Sequence, residues 1–110
     1  CTYSGHPVAC AVALKVLEIY QRDEIFQKAA VTGQYMQKRL AEFSDHPLVG
    51  EVRGSGLLGA IELVADKKTG QPFVGGAVGG YAQKMAQDSG LLIRAVAGSS
   101  LGFCPPLIIT

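Results

Sequence analysis

The residues best placed to do chemistry lie near the end of the sequence. Gly90-Leu91-Leu92-Ile93-Arg94-Ala95 is an apolar run that delivers a single arginine, Arg94, and its continuation is Phe103-Cys104-Pro105-Pro106-Leu107-Ile108-Ile109-Thr110. Three apolar residues after a glycine predict a short buried strand over Leu91–Ala95 with Arg94 near its end. A guanidinium beside a core is costly to leave alone, so the pattern predicts either a carboxylate partner or a site that receives an anion. A second group stands at the other end. Cys1-Thr2-Tyr3-Ser4-Gly5-His6-Pro7 supplies hydroxyls, a glycine and a helix-starting proline. Free N–H groups at a helix N-terminus with short hydroxyl side chains ahead of them suit a phosphate or carboxylate, and they equally suit an ordinary capping turn.

Other chemistries find less support. The three cysteines are widely and unevenly spaced, which is not a disulfide framework. His6 and His46 each precede a proline, and no CxxC or HxxxH spacing offers a metal site. A net charge of +1 gives no electrostatic case for nucleic acid or a membrane surface. No apolar segment reaches the ~18–20 residues of a membrane span, and the cysteine usage makes a reducing cytoplasm the expected default. Gly75 to Gly80 holds four glycines but lacks the Lys-Ser/Thr of a phosphate loop, and it predicts a flexible loop.

The elements that must position Arg94 follow from periodicity. Pro7 to Gln21 predicts a helix apolar almost all round, with Cys10 as a small core residue and a cover from a neighbouring domain or subunit. The hydrophobic share of 48% against 17% charged points the same way, since it exceeds what a lone domain of 110 residues needs. Asp23 is placed to cap a second helix, Glu24 to Ser44, whose Phe26, Ala29, Gly33, Met36, Leu40 and Phe43 form one stripe; His46-Pro47 ends it. Val49–Arg53 and Leu57–Val64 predict two strands joined by Gly54-Ser55-Gly56, with Arg53 and Glu62 as a structural ion pair. Tyr81–Ser89 predicts a short helix burying Ala82, Met85 and Ala86, capped by Gly90, and Gly98–Gly102 a turn. The fold class is α+β: one domain over residues 1–110, a small antiparallel or mixed sheet with helices packed on one face.

Four segments, in order and at suitable intervals, carry a family resemblance. Thr2-Tyr3-Ser4-Gly5-His6-Pro7-Val8-Ala9, Val52-Arg53-Gly54-Ser55-Gly56-Leu57 with Ile61-Glu62-Leu63, Gly90-Leu91-Leu92-Ile93-Arg94, and Cys104-Pro105-Pro106-Leu107-Ile108-Ile109-Thr110 together resemble the C-terminal part of class III pyridoxal-phosphate aminotransferases, nearest the ω-amino acid:pyruvate group. The resemblance implies the small C-terminal domain of a fold-type-I, homodimeric transaminase that moves an amino group from an amine or ω-amino acid to pyruvate or a similar keto acid. It implies two site residues. Thr2 corresponds to the threonine that hydrogen-bonds the cofactor phosphate across the dimer interface, and Arg94 to the arginine that grips the substrate carboxylate and swings aside when there is none.

It also implies what the chain lacks. Lys15, Lys28, Lys38, Lys67, Lys68 and Lys84 stand in no context that matches the Schiff-base lysine. The large cofactor-binding domain is then expected before Cys1 and a last helix after Thr110, and the 110 residues alone are expected to be inactive. Gly98-Ser99-Ser100, where many relatives carry an acidic residue soon after the arginine, departs from the pattern and bears on substrate range. The alternative that the residues leave open is a non-enzymatic α+β module that recognises a carboxylate.

Overall fold

The computed structural model describes residues 4–110. Its first element, α1 (Pro7–Arg22), starts at a proline, whose fixed φ suits the first helical position and whose missing N–H would be unpaired there anyway. α2 (Ile25–Ala41) runs on into a 3-10 turn (Glu42–Asp45), which ends at an extended His46 before Pro47. The corner between the two helices is made by Glu24, held at φ 52°, and is braced by Tyr20 and Phe26, whose rings meet edge to face at 5.2 Å. Asp23 does not cap α2. Its carboxylate is taken by Arg22 at 2.7 Å, and that pairing holds it below the ordinary carboxylate range.

Four strands form one antiparallel sheet: β1 (Val49–Ser55), β2 (Leu58–Leu63), β3 (Arg94–Val96) and β4 (Ser100–Phe103), in spatial order β1-β2-β4-β3. The register explains which face is covered. Val52 opposes Ile61, Ile61 opposes Leu101 and Leu101 opposes Ala95, so these share the face against the helices. An irregularity between Val49 and Glu51 inserts Gly50 as an extra residue. That bulge turns Val49, 3% exposed, to the same side as Val52, although the two are an odd three positions apart. Leu40, Val49 and Ile61 form the centre of the core, with Met36, Val52, Leu63 and Phe103 packed around them. α2 covers this face beneath β1 and β2, and α3 (Val78–Asp88) covers it beneath β3.

The close seat of α2 requires residues with no side chain. A Cβ on Gly59 would run into Leu40 Cδ1, and one on Gly33 would lie 2.7 Å from the carbonyl carbon of Gly56. Gln37 then fastens the β1–β2 turn to the helix, donating from Nε2 to the carbonyl oxygens of Gly56 and Leu58, both at 2.9 Å.

Several expectations need correction. Of the α2 stripe, Ala29, Gly33 and Leu40 are buried and Met36 is half-buried, but Phe26 and Phe43 are exposed at its ends. Cys10 is not a core residue. It is exposed, and α1 has no buried residue within the chain, with Val12 58% and Leu14 64% exposed. β1 extends to Ser55, so that the turn is the two residues Gly56-Leu57. Leu91–Ile93 is not a strand and Leu92 is 83% exposed. The Leu91 N–H closes the C-terminal cap of α3 on Ala86 O at 2.8 Å, with Gly90 at φ 87°, and opposite this segment the next strand runs into Pro105 and Pro106, which have no N–H to offer. Gly98–Gly102 is not all turn: Ser100–Phe103 is a central strand and the turn is Ala97–Ser99.

Gly33→Ala is expected to lower stability by about 1–3 kcal/mol, because helix and turn must separate to admit the methyl group. Gly80→Ala, on α3 with nothing within 4 Å of the new Cβ, is expected to be neutral or slightly stabilising. Chemical denaturation of both variants against wild type gives the comparison.

Candidate functional site

Arg94 opens β3, the outer strand of the sheet, rather than ending a buried one. Alternation puts its side chain on the face opposite Ala95, away from the helices. Across that face its neighbours in the row are Gly102 on β4, Ala60 on β2 and Arg53 on β1, so small residues flank it. At its own end of the sheet, the chain on either side of the β3–β4 hairpin diverges. Leu91–Ile93 leave in one direction and Cys104–Pro106 in the other, and with Met36 and Ile109 they line a cleft of about 590 Å³. Arg94 contributes to the wall of that cleft, and no other charged residue among the described ones does.

The arginines separate into two kinds. Arg22 pairs with Asp23 at 2.7 Å, Arg39 with Glu42 at 2.9 Å, and Arg53 with Glu51 at 2.7 Å and Glu62 at 3.0 Å. Arg94 makes no ion pair or side-chain hydrogen bond among the described residues. It is exposed as well. The expected alternative, a carboxylate partner inside the chain, is therefore not what the described residues provide. Arg53 and Glu62 are the structural pair that their sequence context predicts, with Glu51 as an added third member. The hydrogen bond to Glu62, with the charge of Glu51 beside it, raises the Arg53 guanidinium above its ordinary value. Each member of this trio remains about half exposed, so its net contribution is small.

No lysine lines the cleft among the described residues. Lys15 is on Glu18, Lys84 on Asp88 and Lys67 on the carbonyl of Ser44, while Lys28, Lys38 and Lys68 are exposed on α2 and on the Asp66–Gln71 loop. The described part of the cleft thus fits an apolar ligand with one anionic end, and its one thiol is that of Cys104, a free cysteine. Thr2, the other predicted site residue, lies outside the described residues. Two residues that bear on the site escaped the sequence reading. Met36 reads as core yet forms part of the cleft wall. Gln83 accepts a hydrogen bond from the Ala95 N–H at 2.7 Å, one residue from Arg94. Its signal was available, because Gly79, Ala82, Gln83 and Ala86 form one helical face with a polar residue in it, whereas Met85, predicted buried, is 49% exposed.

Comparison with known proteins decides the family. The model of the class-III aminotransferases matches residues 1–110, the whole chain. The chain belongs to the class-III aminotransferases. It is 48% identical over 109 residues to a putrescine–pyruvate aminotransferase of Pseudomonas aeruginosa, an alignment covering 98% of this chain and 24% of that protein. A γ-aminobutyrate transaminase of Solanum lycopersicum is 40% identical over 110 residues, covering 99% of this chain and 21% of the relative. Among solved structures, the ω-transaminase of Pseudomonas jessenii in complex with PMP superposes with a TM-score of 0.91 at 46% identity, over 100% of this chain and 24% of that one. The chain therefore spans about a quarter of the length of these relatives. At this identity the likeness carries the α+β fold as well as the family.

Because Arg53 is spoken for twice within the sheet, Arg53→Gln in the intact aminotransferase is expected to leave the relative activity toward acids and amines unchanged. Steady-state kinetics with one substrate of each class measures this ratio.

Proposed function

We propose that these residues form the small C-terminal domain of a fold-type-I, homodimeric, cytoplasmic transaminase. In this reading it moves an amino group from an amine or ω-amino acid to pyruvate or a similar keto acid. The observation that carries the reading is the state of Arg94, an arginine without a carboxylate among the described residues, beside an apolar cleft, in a chain of aminotransferase ancestry. Membership of an enzyme family favours this over a carboxylate-binding module without chemistry. The relatives' names favour the substrate class: one acts between putrescine and pyruvate, another on γ-aminobutyrate.

Arg94 binds the acid end of the substrate. A planar guanidinium accepts a carboxylate through two parallel N–H···O bonds, which fixes orientation as well as adding energy. The apolar side chains of Leu91, Leu92 and Ile93 take the remainder of the molecule and thin the water around the pair. An amine without a carboxylate presents nothing for the guanidinium to hold. The long, exposed side chain then turns toward solvent, where hydration replaces the lost bonds, and the cleft receives the apolar group instead. One residue thereby serves two substrate classes in one pocket.

Pyridoxal 5'-phosphate, when bound, supplies the electron sink that stabilises negative charge at the substrate carbon losing its proton. In this reading the contacts to its ring and its carbonyl carbon come from polypeptide outside residues 1–110. Thr2 is the proposed exception. Its hydroxyl donates to the cofactor phosphate of the partner subunit across the dimer interface. The support is its place in sequence ahead of α1, whose first turn has no side-chain cap among the described residues and so has N–H donors to offer an anion.

In the intact enzyme, Arg94→Ala is expected to lower kcat/KM for amino and keto acids by roughly 100-fold, the scale of a lost charge-assisted pair, with much smaller loss for amines that lack a carboxylate. Equal losses for both classes would remove Arg94 from carboxylate recognition.

A further inference from the structure

The reach of Arg94 has an unusual origin. No hydrogen bond or ion pair to another described side chain directs its guanidinium, so the point and direction from which the side chain starts are set by the backbone of β3. That strand is three residues long and pairs on one side only, with β4. So short an edge strand gains little rigidity from its ladder, and its outer N–H and C=O groups are open to exchange with water or other partners.

The outer side of β3 is held from α3. Ala95, the residue after Arg94, donates its N–H to Gln83 Oε1 at 2.7 Å in a partly buried contact. Below it, helix and hairpin meet backbone to backbone. The Gly79 N–H donates to the carbonyl oxygen of Gly98 at 2.9 Å. A Cβ on Gly79 would lie 2.8 Å from that oxygen and 3.4 Å from the Cβ of Ala95, and one on Gly98 would lie 2.8 Å from the carbonyl oxygen of Gly76. Gly98 is at φ 80°, so the turn also needs glycine for its own conformation. The glycine-rich stretch that reads as a flexible loop is instead, at Gly76 and Gly79, part of a fitted seat for the hairpin carrying Arg94. Ser99 completes the fastening by accepting from the Leu63 N–H at 2.9 Å on β2.

We propose that Gln83 is a positioning residue for substrate-carboxylate recognition: by holding the Ala95 N–H against α3, it fixes the backbone from which Arg94 reaches the cleft. The inference rests on the reading of Arg94 as the carboxylate-binding residue. It goes beyond that reading in naming the group that aims it. Bidentate recognition is sensitive to small displacements at the base of the side chain, so loosening β3 weakens the grip on an acid. A substrate without a carboxylate never uses the grip and is indifferent to it.

The test uses the intact holoenzyme and measures each half-reaction separately, with pyruvate, with an ω-amino acid and with a carboxylate-free amine. Gln83→Met keeps the length of the side chain and removes the acceptor oxygen. It is expected to raise KM for the two acids roughly five- to tenfold, the scale of one lost hydrogen bond, and to leave KM for the amine within about twofold. Gln83→Glu retains an acceptor at the same reach and is expected to restore the acids to within about twofold of wild type. Should Gln83→Met fail to fold, Gln83→Asn, one methylene short of the Ala95 N–H, provides the same readout. Equal effects on acids and amine, no effect on either, or no recovery in Gln83→Glu would each overturn the proposal. Arg94→Ala run in parallel tells the two claims apart. Selective loss in Arg94→Ala without selective loss in Gln83→Met sinks only the positioning role, whereas absence of selectivity in Arg94→Ala sinks both.

Discussion

The contact on which the rest of this fold depends is the close seat of α2 on the first hairpin. Leu40 reaches over Gly59 to meet Val49 and Ile61, and Gly33 meets the backbone of Gly56 directly. Burying side chains of this size is worth about 1.5–3 kcal/mol each, and a chain with so few buried residues has little to lose. Gln37 adds polar closure by satisfying two carbonyl oxygens of the β1–β2 turn. With β2 fixed in this way, β4 pairs against it and β3 against β4, so the position of Arg94 is inherited from α2 through three strands. The second hairpin receives its own support from α3. Each hairpin is thus fastened to one helix by close glycine packing and by one glutamine.

Electrostatics then divides labour among the arginines. Three satisfy carboxylates of their own chain, at exposed sites where such pairs stabilise weakly. Arg94 has no such partner among the described residues, and it stands beside a wall of leucine, isoleucine, phenylalanine and proline. A charged group next to an apolar surface binds a matching ion more tightly than one in open water, because fewer solvent dipoles compete. The same absence of a partner leaves the side chain able to move. In the role proposed for Arg94, tight binding of an acid and tolerance of its absence would share this one cause.

Much of this was legible in the sequence, and the failures have physical reasons. Helix positions, the stop at His46-Pro47, the β1–β2 hairpin and the Arg53–Glu62 pair follow from periodicity, proline and local charge. Leu91–Ile93 misled because a short apolar run reads as a strand whether or not a partner can pair with it, and here the facing strand ends at Phe103 and soon meets Pro105, which the register sets opposite Leu91. The glycines at 76 and 79 read as loop because composition reports freedom of the backbone, not the neighbour it approaches. Cys10 and the rest of α1 read as buried from hydrophobicity, yet among the described residues that helix packs chiefly on α2 and has no buried residue. For Arg94 the sequence supplied the residue and its family role as a resemblance. Its lack of a partner is a fact of three dimensions, since Glu51 and Glu62 lie on the same sheet face and are both taken by Arg53.

The most direct measurement is a crystal structure of the intact enzyme with a non-reactive keto-acid analogue in the cleft. The account predicts both carboxylate oxygens within about 2.7–2.9 Å of Arg94 nitrogens, with the β3 backbone unmoved on Gln83. It is contradicted if the carboxylate is held elsewhere while Arg94 closes an ion pair with an acidic residue of its own subunit.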